Sequence, residues 1–249
     1  TIRDISDKWK QSTQVIPTQY SSVRRNQNRI RVGFISQGFK IHPVGWMTAG
    51  LFCELSKHQE IEIFLFDLAP GEDYIAKTIQ HVIPNHFDVS GLGAQSLYAM
   101  IKDLNLDVLI DCVGLQKGNQ MTAVCRKPAP VLIKWIGGLI GSTYLDSFDY
   151  LITDGHQTPD DQDHDFTETL LKIRTCYVTY TPPPYRISET PLPSEGNGFI
   201  TFGCLNNANK FSDRTILRCC ESLQAVPTSK LLLKDKAFDL RENIETMYE

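Results

Sequence analysis

Apolar residues along the chain gather in short runs, and stretches of helical spacing separate those runs. Residues 1–28 open with a helical pattern around Trp9 and pass into a polar linker from Ser21 to Asn28. The run from Arg29 to Ser36 then predicts a strand that ends in small residues. It is followed by a helix over residues 44–57 with Trp46, Ala49, Leu51, Phe52 and Leu55 as its apolar members. The same reading predicts a strand over 61–66, helices over 74–81 and 96–104, and strands over 107–111, 131–136 and 150–154. Several of these strands are apolar throughout, which is the signature of parallel strands covered on both faces. The expected architecture over residues 29–181 is therefore α/β, a doubly wound Rossmann-like sheet. Ligands of such sheets bind beyond the carboxyl ends of the strands, so the loops after Ser36, Asp111, Ile136 and Asp154 are the places to search for chemistry.

A proline-rich stretch over residues 182–197, with Pro182, Pro183, Pro184, Pro191 and Pro193, predicts an extended, semi-rigid linker. The alternation restarts after it, with a strand over 198–203, a helix over 213–225, a strand over 230–234 and a helix over 240–249. One such unit hardly buries a core of its own. Residues 198–249 are thus expected to be the start of a second, truncated Rossmann-like domain.

Composition narrows the function classes. The net charge is −4 with acids and bases mixed along the chain, so no basic face is offered to nucleic acid and no polybasic patch to a membrane. No apolar run approaches the roughly 20 residues of a membrane span. The N-terminus is polar, unlike a signal peptide. Seven cysteines at irregular spacing contain no C-x-x-C pair, which argues against a disulfide framework or a cysteine-based zinc site. These features lead to the expectation of a reduced, cytoplasmic protein.

Four stretches carry candidate chemistry. His42, before Pro43 and directly after the first strand, is held out of the helical region; it either caps the next helix or exchanges a proton or hydrogen bond with a ligand. The run from Trp135 to Thr143 holds Gly137, Gly138 and Gly141 with the hydroxyls of Ser142 and Thr143. Glycines there let backbone N–H groups approach a phosphate or sugar, or they form a plain connection; the run matches neither a P-loop nor the dinucleotide fingerprint. Gly203 to Lys210 puts Asn206, Asn207, Asn209 and Lys210 before a helix, an arrangement suited to an anion or to an Asn-rich turn with Ser212 or Asp213 as the cap. Asp160, Asp161, Asp163 and Asp165 form overlapping D-x-D patterns, for which a solvated acidic loop is favoured over a metal site.

Taken together, the motifs resemble the O-GlcNAc transferases and their bacterial relatives. The strand leading through Ser36 to His42-Pro43-Val44-Gly45 is similar to the start of their catalytic region. The most specific match is the series from Arg126 through Pro128-Ala129-Pro130-Val131, Trp135-Ile136-Gly137 and Asp149-Tyr150 to Thr153-Asp154. Thr201-Phe202-Gly203-Cys204-Leu205-Asn206-Asn207 with Lys210 is similar to the opening of their second domain. The resemblance covers nearly all of residues 29–235 in order.

It implies a GT-B fold of two Rossmann-like domains. It also implies inverting transfer of GlcNAc from UDP-GlcNAc to Ser or Thr of protein acceptors, with no cofactor and no essential metal, and tetratricopeptide repeats upstream. By position, His42 and Lys210 are the implied catalytic residues, His42 beside donor sugar and acceptor and Lys210 at the departing diphosphate. Pro43, Ile136, Gly137, Gly141, Ser142, Thr143 and Asn207 are the implied donor contacts. Three features depart from the family pattern: Gly38 replaces an acid, Leu139-Ile140 a Tyr-Pro, and Leu115 a polar aromatic or histidine. The departures leave open another donor or acceptor, such as flagellin or adhesin glycosylation, or a module that has lost its chemistry. A complete enzyme of this kind is expected to need more than about a hundred further residues, so the isolated chain is expected to show negligible turnover.

Overall fold

The computed structural model describes residues 1–20, 29–138, 141–186, 188–235 and 237. The expected linker at 21–28, the Leu139-Ile140 departure and the expected helix at 240–249 lie outside them. The chain divides into two compact units, Thr1–Pro183 and Pro184–Glu249.

The first unit is built on a seven-stranded, wholly parallel sheet. In chain order its elements are α1 (Ile2–Thr13), β1 (Ile30–Ser36), α2 (Pro43–Leu55), β2 (Ile61–Asp67), α3 (Tyr74–Val82), β3 (His86–Asp88), α4 (Ala94–Asp103), β4 (Val108–Asp111), α5 (Met121–Val124), β5 (Val131–Lys134), β6 (Tyr150–Asp154) and β7 (Thr169–Ile173). The strands lie in the order β3-β2-β1-β4-β5-β6-β7, which places the reversal of strand order between β1 and β4. Ligands of open α/β sheets collect at the carboxyl side of that switch point.

Strand alternation explains the two cores. Phe34 of β1, Ile63 and Leu65 of β2, Ile110 of β4 and Ile133 of β5 share one face with Ala49 and Phe52 of α2 and Ile75 and Ile79 of α3. Their strand neighbours Ile35, Phe64, Phe66, Leu109 and Leu132 point the other way, into a core with Leu97 and Ile101 of α4 and Met121 and Val124 of α5. A period of two with both faces apolar reads in sequence as an uninterrupted apolar run. Helix starts are fixed by side chains: the Asp73 carboxylate accepts from the Ile75 and Ala76 N–H groups at 3.0 Å each to begin α3, and Pro43 occupies the first turn of α2.

In the second unit, α6 (Pro193–Asn197) precedes β8 (Thr201–Cys204), α7 (Asp213–Ala225) and β9 (Lys230–Leu233). The pairing of β8 with β9 is parallel, so α7 is the crossover of a βαβ unit. None of its described side chains is buried.

Several elements differ from the sequence expectation. The short β3 and α5 and the edge strand β7 were not expected; β7 alternates exposed and half-buried positions over Thr-Leu-Leu-Lys-Ile, a pattern weakened by Lys172. The proline-rich stretch holds the one-and-a-half-turn α6, because Pro193 suits a first helical position and Gly198 closes it with φ 73°. The strand at 131–136 stops at Lys134. Beyond it Ile136, Gly137 and Gly138 take φ of 27°, 69° and 75°, in the left-handed region.

Candidate functional site

Three loops meet at the switch point of the sheet. The loop after β1 reaches the loop after β4 at Gly118, where an added Cβ would lie 2.6 Å from the Gln37 Oε1. The loops after β4 and β5 are closer still: a Cβ on Gly137 would lie 1.9 Å from the Cys112 carbonyl oxygen, and one on Gly138 2.9 Å from that of Val113. Glycine is required at both positions, for space and for φ.

His42 stands at the mouth of the first loop as the N-cap of α2, with extended backbone. Its Nδ1 accepts from the Val44 N–H at 3.2 Å, which fixes the neutral tautomer with the proton on Nε2. The ring is half-buried, and burial, aided by the Lys40 charge, pushes its pKa below the usual histidine value. Both readings of this residue are thereby specified: it caps the helix, and the free edge of the ring presents an N–H donor. The pocket behind it is tight, since a Cβ on Gly38 would lie 2.4 Å from the Nδ1. The loop itself is pinned by the Ile41 N–H to Asp73 and the Lys40 ammonium to the Ala69 carbonyl.

His42→Ala should cost about 1 kcal/mol in urea unfolding, while His42→Asn, which can cap, should cost less than half of that. Because the folded-state pKa is the lower one, unfolded chains take up the proton first. The stabilisation from His42 is present above about pH 6.5 and is lost as pH falls through the depressed folded value. His42→Asn should flatten that part of the stability–pH curve.

The loop after β5 is organised by two buried charged groups that the sequence reading overlooked. Lys134, 4% exposed, ends β5. Its ammonium donates to the carbonyls of Trp135 at 3.1 Å, Gly137 at 2.8 Å and, at still shorter range, Ile136. Asp111, 2% exposed, ends β4 and accepts from the Val113 and Gly114 N–H groups at 3.3 and 2.7 Å. The two charges stand 3.9 Å apart. Burial lowers the Lys134 pKa and raises that of Asp111, while each charge opposes the shift of the other. With every ammonium proton and both carboxylate oxygens satisfied, the charged pair fits the site.

Glu168, also buried, fixes the far end of the loop. It accepts from the Ser142 hydroxyl at 2.7 Å, from the Thr143 N–H at 2.7 Å and from the Thr143 hydroxyl. The Ser6 hydroxyl of α1 donates to the Thr143 carbonyl at 2.5 Å. The hydroxyls of Ser142 and Thr143, expected as ligand donors, therefore serve an internal carboxylate. The Ile136 side chain, 6% exposed, lies in the core beside Trp135, and its carbonyl accepts from the Lys134 ammonium. Pro43 is exposed. Gly141 lines a cavity of about 110 Å³ with Ile5, Gly114, Leu115, Gln116, Lys134 and Gly138 among its walls.

In the second unit, Asn207 caps the short 3-10 turn Ala208–Lys210, its side-chain oxygen accepting from the Asn209 N–H at 2.9 Å. Lys210 is exposed at the end of that turn, and Ser212 caps α7. The acidic stretch forms a 3-10 turn, Asp160–Asp165, in which Asp160 and Asp163 both pair with Lys172 at 2.6 and 2.7 Å. Among the described residues no cluster of three or more His, Cys, Asp or Glu has the arrangement of an ion site, and no helix is long and apolar enough to cross a membrane.

The sequence profile of glycosyl transferase family 41 matches residues 10–180. The chain belongs to that family. Its family 41 relatives include the Arabidopsis thaliana protein named "Probable UDP-N-acetylglucosamine--peptide N-acetylglucosaminyltransferase SPINDLY", 28% identical over 229 residues, 89% of this chain and 24% of that protein. The protein of the same name from Eustoma exaltatum subsp. russellianum is 34% identical over 151 residues, 61% of this chain and 16% of the relative. The chain thus spans a quarter or less of these curated relatives. A solved mutant of the Thermobaculum terrenum O-GlcNAc transferase superposes with a TM-score of 0.84 at 23% identity, over 99% of this chain and 48% of that one. The fold is that of a GT-B glycosyltransferase, with a Rossmann-like first unit and a βαβ arrangement in the second.

Proposed function

We propose that this family 41 chain takes part in inverting transfer of GlcNAc from UDP-GlcNAc to Ser or Thr hydroxyls of protein acceptors, without a metal. The observation that carries the proposal is the loop after β5. The N–H groups of Ile136, Gly137 and Gly138 have no acceptor among the described residues, and they lie at the carboxyl edge of the sheet, where an oxygen-rich ligand is held. The relatives' names supply the donor and the peptide acceptor for those proteins. Residues 182–197 act as the connection between the two domains in this reading.

The chemistry asks for three things. The acceptor hydroxyl oxygen must reach the anomeric carbon as the bond to the diphosphate breaks, its proton passing to the departing diphosphate or to water. Negative charge then grows on the diphosphate, and the Lys210 ammonium, with Asn207 beside it, neutralises it where it develops. The His42 Nε2–H contributes a donor to the sugar or acceptor. Its other nitrogen is occupied by the helix cap, so His42 acts as a hydrogen-bond donor rather than as the base.

The test is incubation of the full-length protein with protein acceptors and a panel of nucleotide sugars, read by mass spectrometry. An N-acetylhexosamine increment on Ser or Thr from UDP-GlcNAc, insensitive to EDTA, is expected. No transfer from any donor, or loss of transfer with EDTA, overturns the proposal. A preference for another nucleotide sugar supports a second reading favoured by Leu115, which gives the cavity an apolar wall in place of a polar ring.

A further inference from the structure

A lysine inside an apolar strand is costly to bury, and the usual explanation is a carboxylate in contact with it. For Lys134 that explanation is only part of the account. Asp111 is 3.9 Å from the ammonium, whereas the Gly137 and Trp135 carbonyls are at 2.8 and 3.1 Å and the Ile136 carbonyl is closer still. Asp111 spends its two oxygens on the Val113 and Gly114 N–H groups. Each charge ties down the loop after its own strand, Lys134 reaching the Asp111 carbonyl of the neighbouring strand only at 3.5 Å, and the two loops meet at Gly114, where an added Cβ would lie 3.1 Å from the Lys134 Cε.

The consequence lies in the direction of the amides. Three successive residues have positive φ, and three successive carbonyls converge on one ammonium. Peptide units turn as rigid planes, so the N–H groups of Ile136, Gly137 and Gly138 face the opposite way, and none has an acceptor among the described residues. Three amides stripped of partners repel a neighbouring cation and attract oxygen. Such a turn is strained for Ile136, which pays for its left-handed backbone with no glycine freedom.

We infer that Lys134 is a positioning residue for the donor: through the carbonyls of residues 135–137 it holds the amides of residues 136–138 toward the sugar or diphosphate oxygens. The inference rests on the donor reading of this loop given above. Lys134 itself touches no ligand; it sets the conformation that does.

The experiment separates loop positioning from charge balance. The isotopically labelled chain is compared with Lys134→Met and with Lys134→Met combined with Asp111→Asn. Lys134→Met alone leaves a carboxylate unpaired in the interior and should lower the melting temperature. The double variant removes both charges and should recover most of that loss. Its Gly137 and Gly138 amide resonances should nevertheless stay shifted or broadened without ligand, and UDP-GlcNAc should bind it roughly tenfold more weakly than the parent, because preorganisation is gone. Parent-like resonances and affinity in the double variant would show that Lys134 only balances Asp111, and the inference fails. Should that variant not fold, Lys134→Gln with Asp111→Asn is judged by the same two readouts. If UDP-GlcNAc perturbs no amide of the parent chain, the donor reading fails, and the ligand-free resonances still decide the role of Lys134.

Discussion

Gly137→Ala is expected to lower the stability of the first unit by on the order of 3 kcal/mol. Two costs add. A residue other than glycine in the left-handed region costs about 1–2 kcal/mol, and Gly137 has φ 69°. The new methyl would also lie 1.9 Å from the Cys112 carbonyl oxygen and 2.6 Å from its carbon. That partner is backbone at the end of β4, held in the middle of the sheet, so it cannot swing aside as a side chain would. For a domain of this size, 3 kcal/mol corresponds to a fall of about 6–12 °C in melting temperature. Gly91→Ala is the internal control: nothing lies within 4 Å of the added Cβ and its φ is ordinary, so the melting temperature should hardly move. Equal, small effects at both positions would mean that the loops after β4 and β5 do not pack as described. Ligand binding should fall with stability in Gly137→Ala, since relief of the clash requires the amides of residues 136–138 to turn.

The contrast between those two glycines shows what the sequence makes legible. The parallel sheet could be read because β1, β2, β4 and β5 are buried on both faces, so their apolar runs are unbroken. β7 escaped because it lies at the edge, half exposed, and β3 because three residues are too few for a period. The loops to search, after Ser36, Asp111, Ile136 and Asp154, could be read from the alternation of strands and helices, and the structure brings those after β1, β4 and β5 together. What holds the site could not be read. Lys134 sits in Val-Leu-Ile-Lys-Trp, and a lone lysine in a core strand was a signal of a buried partner that the strand pattern masked. Glu168 gave no such signal, since its donors Ser142 and Thr143 come from a loop 26 and 25 residues away in sequence. Those hydroxyls invited a ligand role because serine and threonine beside glycines suit a phosphate. Their actual partner is visible only once β7 is seen to run beside β6.

Lys210→Met should reduce transfer by roughly 100- to 1000-fold in the full-length protein, the usual cost of removing one preorganised donor from developing charge. The timing of the charge decides the size of the loss. Before reaction the diphosphate is esterified to the sugar; as that bond breaks, a further negative charge collects on the oxygen that departs. A cation stabilises this state more than the bound donor, so the loss belongs in kcat more than in KM. Lys210 is exposed at the end of a 3-10 turn, and the bonds that shape that turn come from the Asn207 side chain and carbonyl. Methionine at 210 should therefore leave the melting temperature within about 1 °C, as for other exposed sites. Single-turnover transfer with saturating UDP-GlcNAc makes the comparison directly. An unchanged single-turnover rate would remove Lys210 from the chemistry, whereas a rise confined to KM would assign it to donor binding alone. Asn207→Ala is the structural counterpart: it abolishes the bond to the Asn209 N–H at 2.9 Å and loosens the turn, so its effect should track that of Lys210→Met in direction while remaining smaller, because the ammonium is still present to follow the leaving group.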